Sequence, residues 1–224
     1  MAKKIAVTGT GRSGTKYFAS ILQELNLDIG HEETGGDGIA SWCLVADVKK
    51  AVYGPGGAVL DKDFIVGQQV RHPLQTIASL TTINKASWAF IREQTGALPR
   101  NVLHRSMVHW LDWNQRAYDM ADYTWKLRTV EEEIPEIITA LNVNITEAEW
   151  KDACERAKYG ANTGEARATN SLLNPKVGPI TQWRRYQYNK RKELLTWDEL
   201  KKKDALLTQE IQDFATVLGY KIED

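Results

Sequence analysis

Gly9-Thr10-Gly11-Arg12-Ser13-Gly14-Thr15-Lys16 is the stretch on which the reading of this 224-residue chain turns. It follows a short apolar run, Lys4 to Thr8, and leads into a helical pattern from Ser13 to about Leu25. Strand, glycine-rich turn and helix in that order aim successive backbone N–H groups at one point, where the helix start adds about half a positive charge. Such a loop holds phosphate-like oxygens. Gly9 and Gly14 match the two glycines of the nucleotide-binding pattern G-x-x-x-x-G-K-[ST], but Thr15 comes next and the lysine falls one place late, at Lys16. No apolar strand downstream ends in an aspartate placed for magnesium; Phe64 to Val70 ends instead against Arg71. An anion loop without a magnesium partner suits a group less charged than a triphosphate terminus.

Outward from that loop, strands and helices alternate. Leu27 to Ile29 is a second short apolar run and leads into a polar, glycine-rich loop, His31 to Gly38. Phe64 to Val70 reads as a buried strand, and Pro73 opens a helix at the position where its missing N–H costs nothing. Asn101 to Ala121 reads as a long amphipathic helix and Tyr123 to Thr129 as a further strand. Thr146 with Glu149 forms a capping box for a helix to about Tyr159. Thr196 with Glu199 does the same for a C-terminal helix ending at Gly219, with the polar stretch Gly160 to Gly178 between the two. The alternation predicts a three-layer α/β fold: a central parallel sheet flanked by helices, in one domain spanning residues 1–224.

Charge narrows the class of ligand. Lys plus Arg number 29 and Asp plus Glu 29, so the formal net charge is zero, and no global field draws a nucleic acid or a membrane surface. The zero is a sum of patches. Residues 1–20, 71–130 and 171–203 carry +4, +4 and +6, while 21–70, 131–170 and 204–224 carry −5, −5 and −4. That pattern suits one small polyanion in a local cationic cleft. Cys43 and Cys154 are too few and too far apart for a disulfide framework and read as reduced, cytoplasmic thiols. No run approaches the roughly 18 apolar residues of a membrane helix, and Ile5 to Val7 is too short for a signal peptide.

Gly11-Arg12-Ser13-Gly14-Thr15 after the first strand resembles the 5′-phosphosulfate loop of sulfotransferases that use 3′-phosphoadenosine 5′-phosphosulfate (PAPS). Arg71-His72-Pro73-Leu74-Gln75-Thr76-Ile77-Ala78-Ser79 resembles that family's 3′-phosphate motif, in which an Arg ends a strand and a Ser follows eight residues later on the next helix. Gln182-Trp183-Arg184-Arg185, followed by Leu195-Thr196, resembles the C-terminal basic segment of bacterial and tyrosyl-protein-type members; Trp110 to Asn114 and Lys126 to Glu131 are fainter echoes. The resemblance implies a P-loop fold of the nucleoside-triphosphate-hydrolase type, PAPS as donor, its 3′,5′-bisphosphate (PAP) as product and no metal. It assigns Gly11, Arg12, Ser13, Gly14, Thr15 and Lys16 to the 5′-phosphosulfate, Arg71 and Ser79 to the 3′-phosphate, and Arg184 to completing the site. Family members carry Lys or Arg at the place of Arg12 and usually Ser or Thr at that of Lys16, so Lys16 is a departure.

In-line sulfuryl transfer needs positioning, charge stabilisation and an acceptor for the substrate's proton. Arg12, Lys16 and the loop N–H groups answer the first two. For the third, Gly30-His31-Glu32-Glu33-Thr34 resembles a G-E-E-T stretch that carries a catalytic Glu in tyrosyl-protein members, which makes Glu33 the first choice and His31 the second. His31, His72, His104 and His109 show no metal-ligand spacing. Trp110 and Trp113 lie at core-facing spacing, whereas Trp42 and Trp88 are candidates for an acceptor pocket as much as for packing. The acceptor itself, a hydroxyl or amine on a small molecule, glycan or peptide, is left open, with residues 84–105 and 160–178 shaping its pocket. A small-molecule or nucleotide kinase and an inactive nucleotide-binding relative are the alternatives.

Overall fold

The computed structural model describes residues 4–46, 60, 62–133, 137, 143–160 and 195–222. Among these, β1 (Lys4–Thr8), β2 (Ile29–His31), β3 (Gly38–Ala40), β4 (Phe64–Val70) and β5 (Tyr123–Lys126) form one all-parallel sheet in the order β2-β3-β1-β4-β5. Central β1 is buried on both faces, as a parallel strand under two helical layers must be. The pleat divides its side chains. Ile5 and Val7 enter a cluster with Phe18, Ile21, Leu22 and Trp150, while Ala6 packs on the opposite face with Ile39 and Val66.

Helices α1 (Thr15–Glu24) and α5 (Glu147–Gly160) cover the first face. On the other lie α2 (Pro73–Leu80), α3 (Lys85–Thr95), α4 (Val102–Met120), α6 (Trp197–Lys203) and α7 (Ala205–Val217). Val70, Ile77, Leu80, Met107, Trp110, Leu200 and Ile211 form the core on that side. The expected three-layer α/β architecture is the one found. Among the described residues no helix is long and apolar enough to cross a membrane.

Local differences have local causes. The second apolar run pairs as Ile29–His31 rather than Leu27–Ile29, and the glycine-rich loop beyond it yields a further strand at Gly38–Ala40. Gly38 stands at φ 152°, where a Cβ would lie 1.9 Å from the Ile5 carbonyl oxygen, so glycine alone lets β3 approach β1. The strand from Tyr123 stops at Lys126, and Leu127–Thr129 turns into a single 3-10 helix. Asn84, whose side chain accepts from Ser87 N at 2.8 Å, starts α3. The Thr196–Glu199 capping box forms, but the C-terminal helix breaks at Asp204. Asp204 takes extended dihedrals there and caps α7 by accepting from Leu207 N at 3.0 Å.

The chain leaves β1 for β2 and β3, then crosses back over β1 to reach β4. Loops after β1 and β4 therefore emerge side by side at the carboxyl end of the sheet, where open parallel sheets place their ligands. β4 fits beside β5 because residue 67 has no side chain: a Cβ on Gly67 would stand 2.0 Å from the Trp125 ring. Gly67→Ala is expected to cost about 2 kcal/mol by overpacking, read as a lowered midpoint in urea unfolding. An unchanged midpoint would mean that the ring moves aside freely.

Candidate functional site

The Gly9–Gly14 loop is seated directly on the end of β4. A Cβ on Gly9 (φ 152°) would lie 2.3 Å from the Gln69 carbonyl oxygen, and one on Gly14 (φ 103°) 2.7 Å from Gln69 Nε2. The Gln69 side chain, wholly buried, donates from Nε2 to the Ser13 carbonyl at 3.0 Å. Ser13 N in turn donates to Thr10 O at 3.1 Å, closing the turn. Gly14 is the N-cap of α1 and supplies no side-chain cap, so the opening N–H groups of that helix face the loop without a side-chain acceptor. Ser13 Oγ is buried and has no hydrogen-bond partner. Thr15 is buried as the first residue of α1, Gly11 is buried against the Trp42 ring, and Lys16 is exposed. A buried free hydroxyl, an uncapped helix start and adjacent cations fit an oxyanion of phosphate or sulfate type.

The two sequence blocks come together here. Arg12 stands at φ 74° and donates from Nε to Ser79 Oγ at 2.8 Å. Ser79 is buried in α2, eight residues past Arg71 at the end of β4. Arg71 donates from Nη1 to the Arg12 carbonyl at 3.5 Å and from Nε to Gln75 Oε1 at 3.2 Å. Arg12, Ser79 and Arg71 thus line one end of the sheet, although 67 residues separate Arg12 from Ser79. Arg184, with Gln182, Trp183 and Arg185, lies outside the described residues.

At the mouth of β2 the three polar loop residues differ in setting. His31 is half-buried, and burial followed by the nearby Lys16 charge lowers its pKa, so the ring is neutral near pH 7. Glu33 is exposed. Glu32, held at φ 65°, accepts from Ser41 Oγ at 3.1 Å and Cys43 Sγ at 3.7 Å, with His31 Nε2 at 3.7 Å. Burial raises its carboxyl pKa, and the two hydrogen bonds only partly offset that. Beside Glu32, Cys43 is pushed up to about 12, chiefly by burial and then by the carboxylate. Sequence reasoning passed over Glu32 and Gln69. Gln69 had a signal: two consecutive amides, Gln68 and Gln69, inside an otherwise apolar central strand demand buried partners.

Trp42, Trp88, Trp110 and Trp113 fall into two groups. Trp110 joins the α7 side of the core. Trp113 donates from Nε1 to the Trp42 carbonyl at 2.7 Å; the Trp42 ring meets Phe90 and His109 edge to face, and Trp113 packs tilted against Trp42 and His109. His109 is fully buried, its Nε2 3.4 Å from Thr10 Oγ1, while His104 pairs with Asp204 at 3.1 Å. Among the described residues no cluster of three or more His, Cys, Asp or Glu side chains is placed to hold a metal ion.

No protein-family model matches the chain, and no curated protein matches it. Among solved structures it is similar to the crystal structure of mouse sulfotransferase SULT7A1 complexed with PAP. The TM-score is 0.52 at 13% sequence identity, over 98% of this chain and 88% of that one. At that identity the likeness establishes the fold: this chain has the P-loop α/β architecture of a sulfotransferase.

A carboxyl whose folded-state pKa is raised is protonated over a window in which the unfolded chain has already ionised, so its burden on stability grows as pH rises. Glu32→Gln is therefore expected to stabilise the fold increasingly from about pH 4.5, the ordinary carboxyl value, upward. Urea unfolding at stepped pH reads the gap between variant and wild type, which should close in acid. A gap independent of pH would overturn the buried-carboxyl reading.

Proposed function

We propose that this chain, acting as one domain over residues 1–224, transfers a sulfuryl group from PAPS to a hydroxyl or amine acceptor and releases PAP. The convergence of Arg12, Ser79 and Arg71 beside a glycine loop with a free buried hydroxyl carries the reading. A donor bearing two separate phosphate groups needs two anion subsites. The loop with Arg12, Ser13, Gly14, Thr15 and Lys16 supports one, and Arg71 with Ser79 supports the other. Arg184, by the resemblance, completes the site. The solved structure in complex with PAP has the same fold, which supports the donor class. The free thiols of Cys43 and Cys154 suit a cytoplasmic setting.

The donor supplies the sulfuryl group and a leaving phosphate whose charge grows as the bond breaks. Arg12, Lys16 and the loop N–H groups stabilise that charge. The acceptor's proton goes to the loop after β2. There burial raises the Glu32 pKa above that of a free carboxylate, the direction that strengthens a general base, while Glu33 and His31 remain the sequence candidates to test beside it. A kinase would need magnesium and would prefer ATP; the side chain next to the loop at the end of β4 is instead the cation Arg71.

Calorimetric titration with adenosine 3′,5′-bisphosphate, with and without magnesium, tests the donor reading. Binding is expected to be independent of magnesium and weakened by about 2 kcal/mol or more in Arg71→Ala. Indifference to Arg71, or a strict need for magnesium, would overturn it. In the same preparation, Glu32→Gln is expected to abolish turnover while leaving bisphosphate affinity unchanged; loss confined to Glu33→Gln would move the base to Glu33.

A further inference from the structure

Beside Thr10 of the loop lies a group of buried nitrogens without partners. Thr10 meets His109, His109 lies 6.0 Å from the Trp88 ring centroid, and Arg105 Cζ sits 4.5 Å over the Trp88 ring. His109 is fully buried and Trp88 only 4% exposed. His109 Nδ1, Trp88 Nε1 and Arg105 Nε are all buried and none has a hydrogen-bond partner. Leaving such groups unmade costs roughly 1–3 kcal/mol each, so three in contact on one wall call for an explanation.

Their chemistry has one sign. An indole N–H only donates, and a guanidinium Nε only donates. Burial, and then the Arg116 charge, holds the His109 pKa down to about 3, so the ring is neutral. His109 Nε2 shares its hydrogen bond with Thr10 Oγ1, and in the tautomer in which Nε2 accepts, Nδ1 carries the proton and donates as well. What is missing is an acceptor, and beside a guanidinium it is an anion. Acidic side chains of the wall do not fill the role. Asp112 on α4 pairs through Oδ1 with Arg116 at 3.0 Å, its buried Oδ2 bonds to none of the three nitrogens, and Arg105 forms no ion pair among the described residues. One cation with two neutral donors balances a monoanion rather than a dianion. Arg105 is partly exposed, so a ligand reaches its outer nitrogens from solvent. Trp88 beneath it offers a flat apolar floor.

Resting on the sulfuryl-transfer reading, we propose that the acceptor carries a carboxylate beside its reactive hydroxyl or amine, and that Arg105, over Trp88, holds that carboxylate. Arg105 is then a specificity residue. It selects among acceptors and takes no part in binding the donor, whose proposed ligands are the loop, Arg71 and Ser79.

The test uses two probes that differ in one charge, 4-hydroxybenzoate and its methyl ester. Each is titrated calorimetrically into the full-length protein, alone and saturated with adenosine 3′,5′-bisphosphate. Wild type is expected to bind the acid at least tenfold more tightly than the ester. Arg105→Gln should erase that preference while leaving ester and bisphosphate affinities unchanged, and Arg105→Lys should restore part of it. Equal affinities in wild type, no binding of the acid, or a preference that survives Arg105→Gln would overturn the proposal. The bisphosphate titration separates the two readings. If the nucleotide fails to bind while the acid preference holds, the donor assignment falls and the carboxylate contact stands. If the nucleotide binds and the preference is absent, the reverse follows.

Discussion

A single buried amide sets the geometry of the carboxyl end of the sheet. Gln69 lies in the middle of the parallel sheet with no access to water, and its Nε2 reaches the carbonyl of Ser13 at 3.0 Å. In an apolar setting a lost amide–carbonyl bond leaves two groups unsatisfied, so the contact is costly to break. The loop after β1 is thereby fastened to the strand that ends in Arg71. Gly9 and Gly14 are the two places where the backbone comes so close to Gln69 that no Cβ fits. From this one contact follow the short reach from Arg12 to Ser79, the contact of Arg71 with the Arg12 carbonyl, and the outward aim of the α1 N-terminus.

Around that fixed point, charge and apolar surface divide the site in two. Toward α2 lie Arg12, Arg71 and Ser79, suited to phosphate oxygens. Toward α3 and α4 lie Trp42, Trp88, Phe90, Trp113 and the neutral His109, a largely buried cluster of rings. The Glu32 carboxyl sits beside the ring cluster, since Ser41 and Cys43, which donate to it, flank Trp42 in the sequence. Zero net charge is compatible with this because acidic side chains are spread over other segments of the chain.

Features governed by short-range rules were legible in the sequence. The strand Phe64–Val70, the helix opened by Pro73 and the capping boxes at Thr146 and Thr196 all stand where their residues place them. Each depends on contacts within a few positions. The strands Ile29–His31 and Gly38–Ala40 were not legible as a pair, because three residues are too few to show a period of two. Nor was the break at Asp204. The apolar rhythm continues across it, and only the aspartate's bond to Leu207 N and its pairing with His104 on α4 reveal why the chain turns. For the site, the glycine loop and the Arg71–Ser79 spacing could be read directly. Glu32 could not be told from Glu33, since burial by Ser41 and Cys43 is a tertiary fact.

Arg12 holds a left-handed backbone, φ 74°, which for a residue with a Cβ costs of order 1 kcal/mol or more. Glycine occupies the positions on either side of this turn, at Gly11 and Gly14, and would be comfortable at position 12 as well. Retaining an arginine there trades conformational ease for a guanidinium that cannot be delivered from a relaxed backbone at the same place. The turn thus carries a small, permanent strain, and the protein's thermal resilience and its anion chemistry pull in opposite directions at one residue.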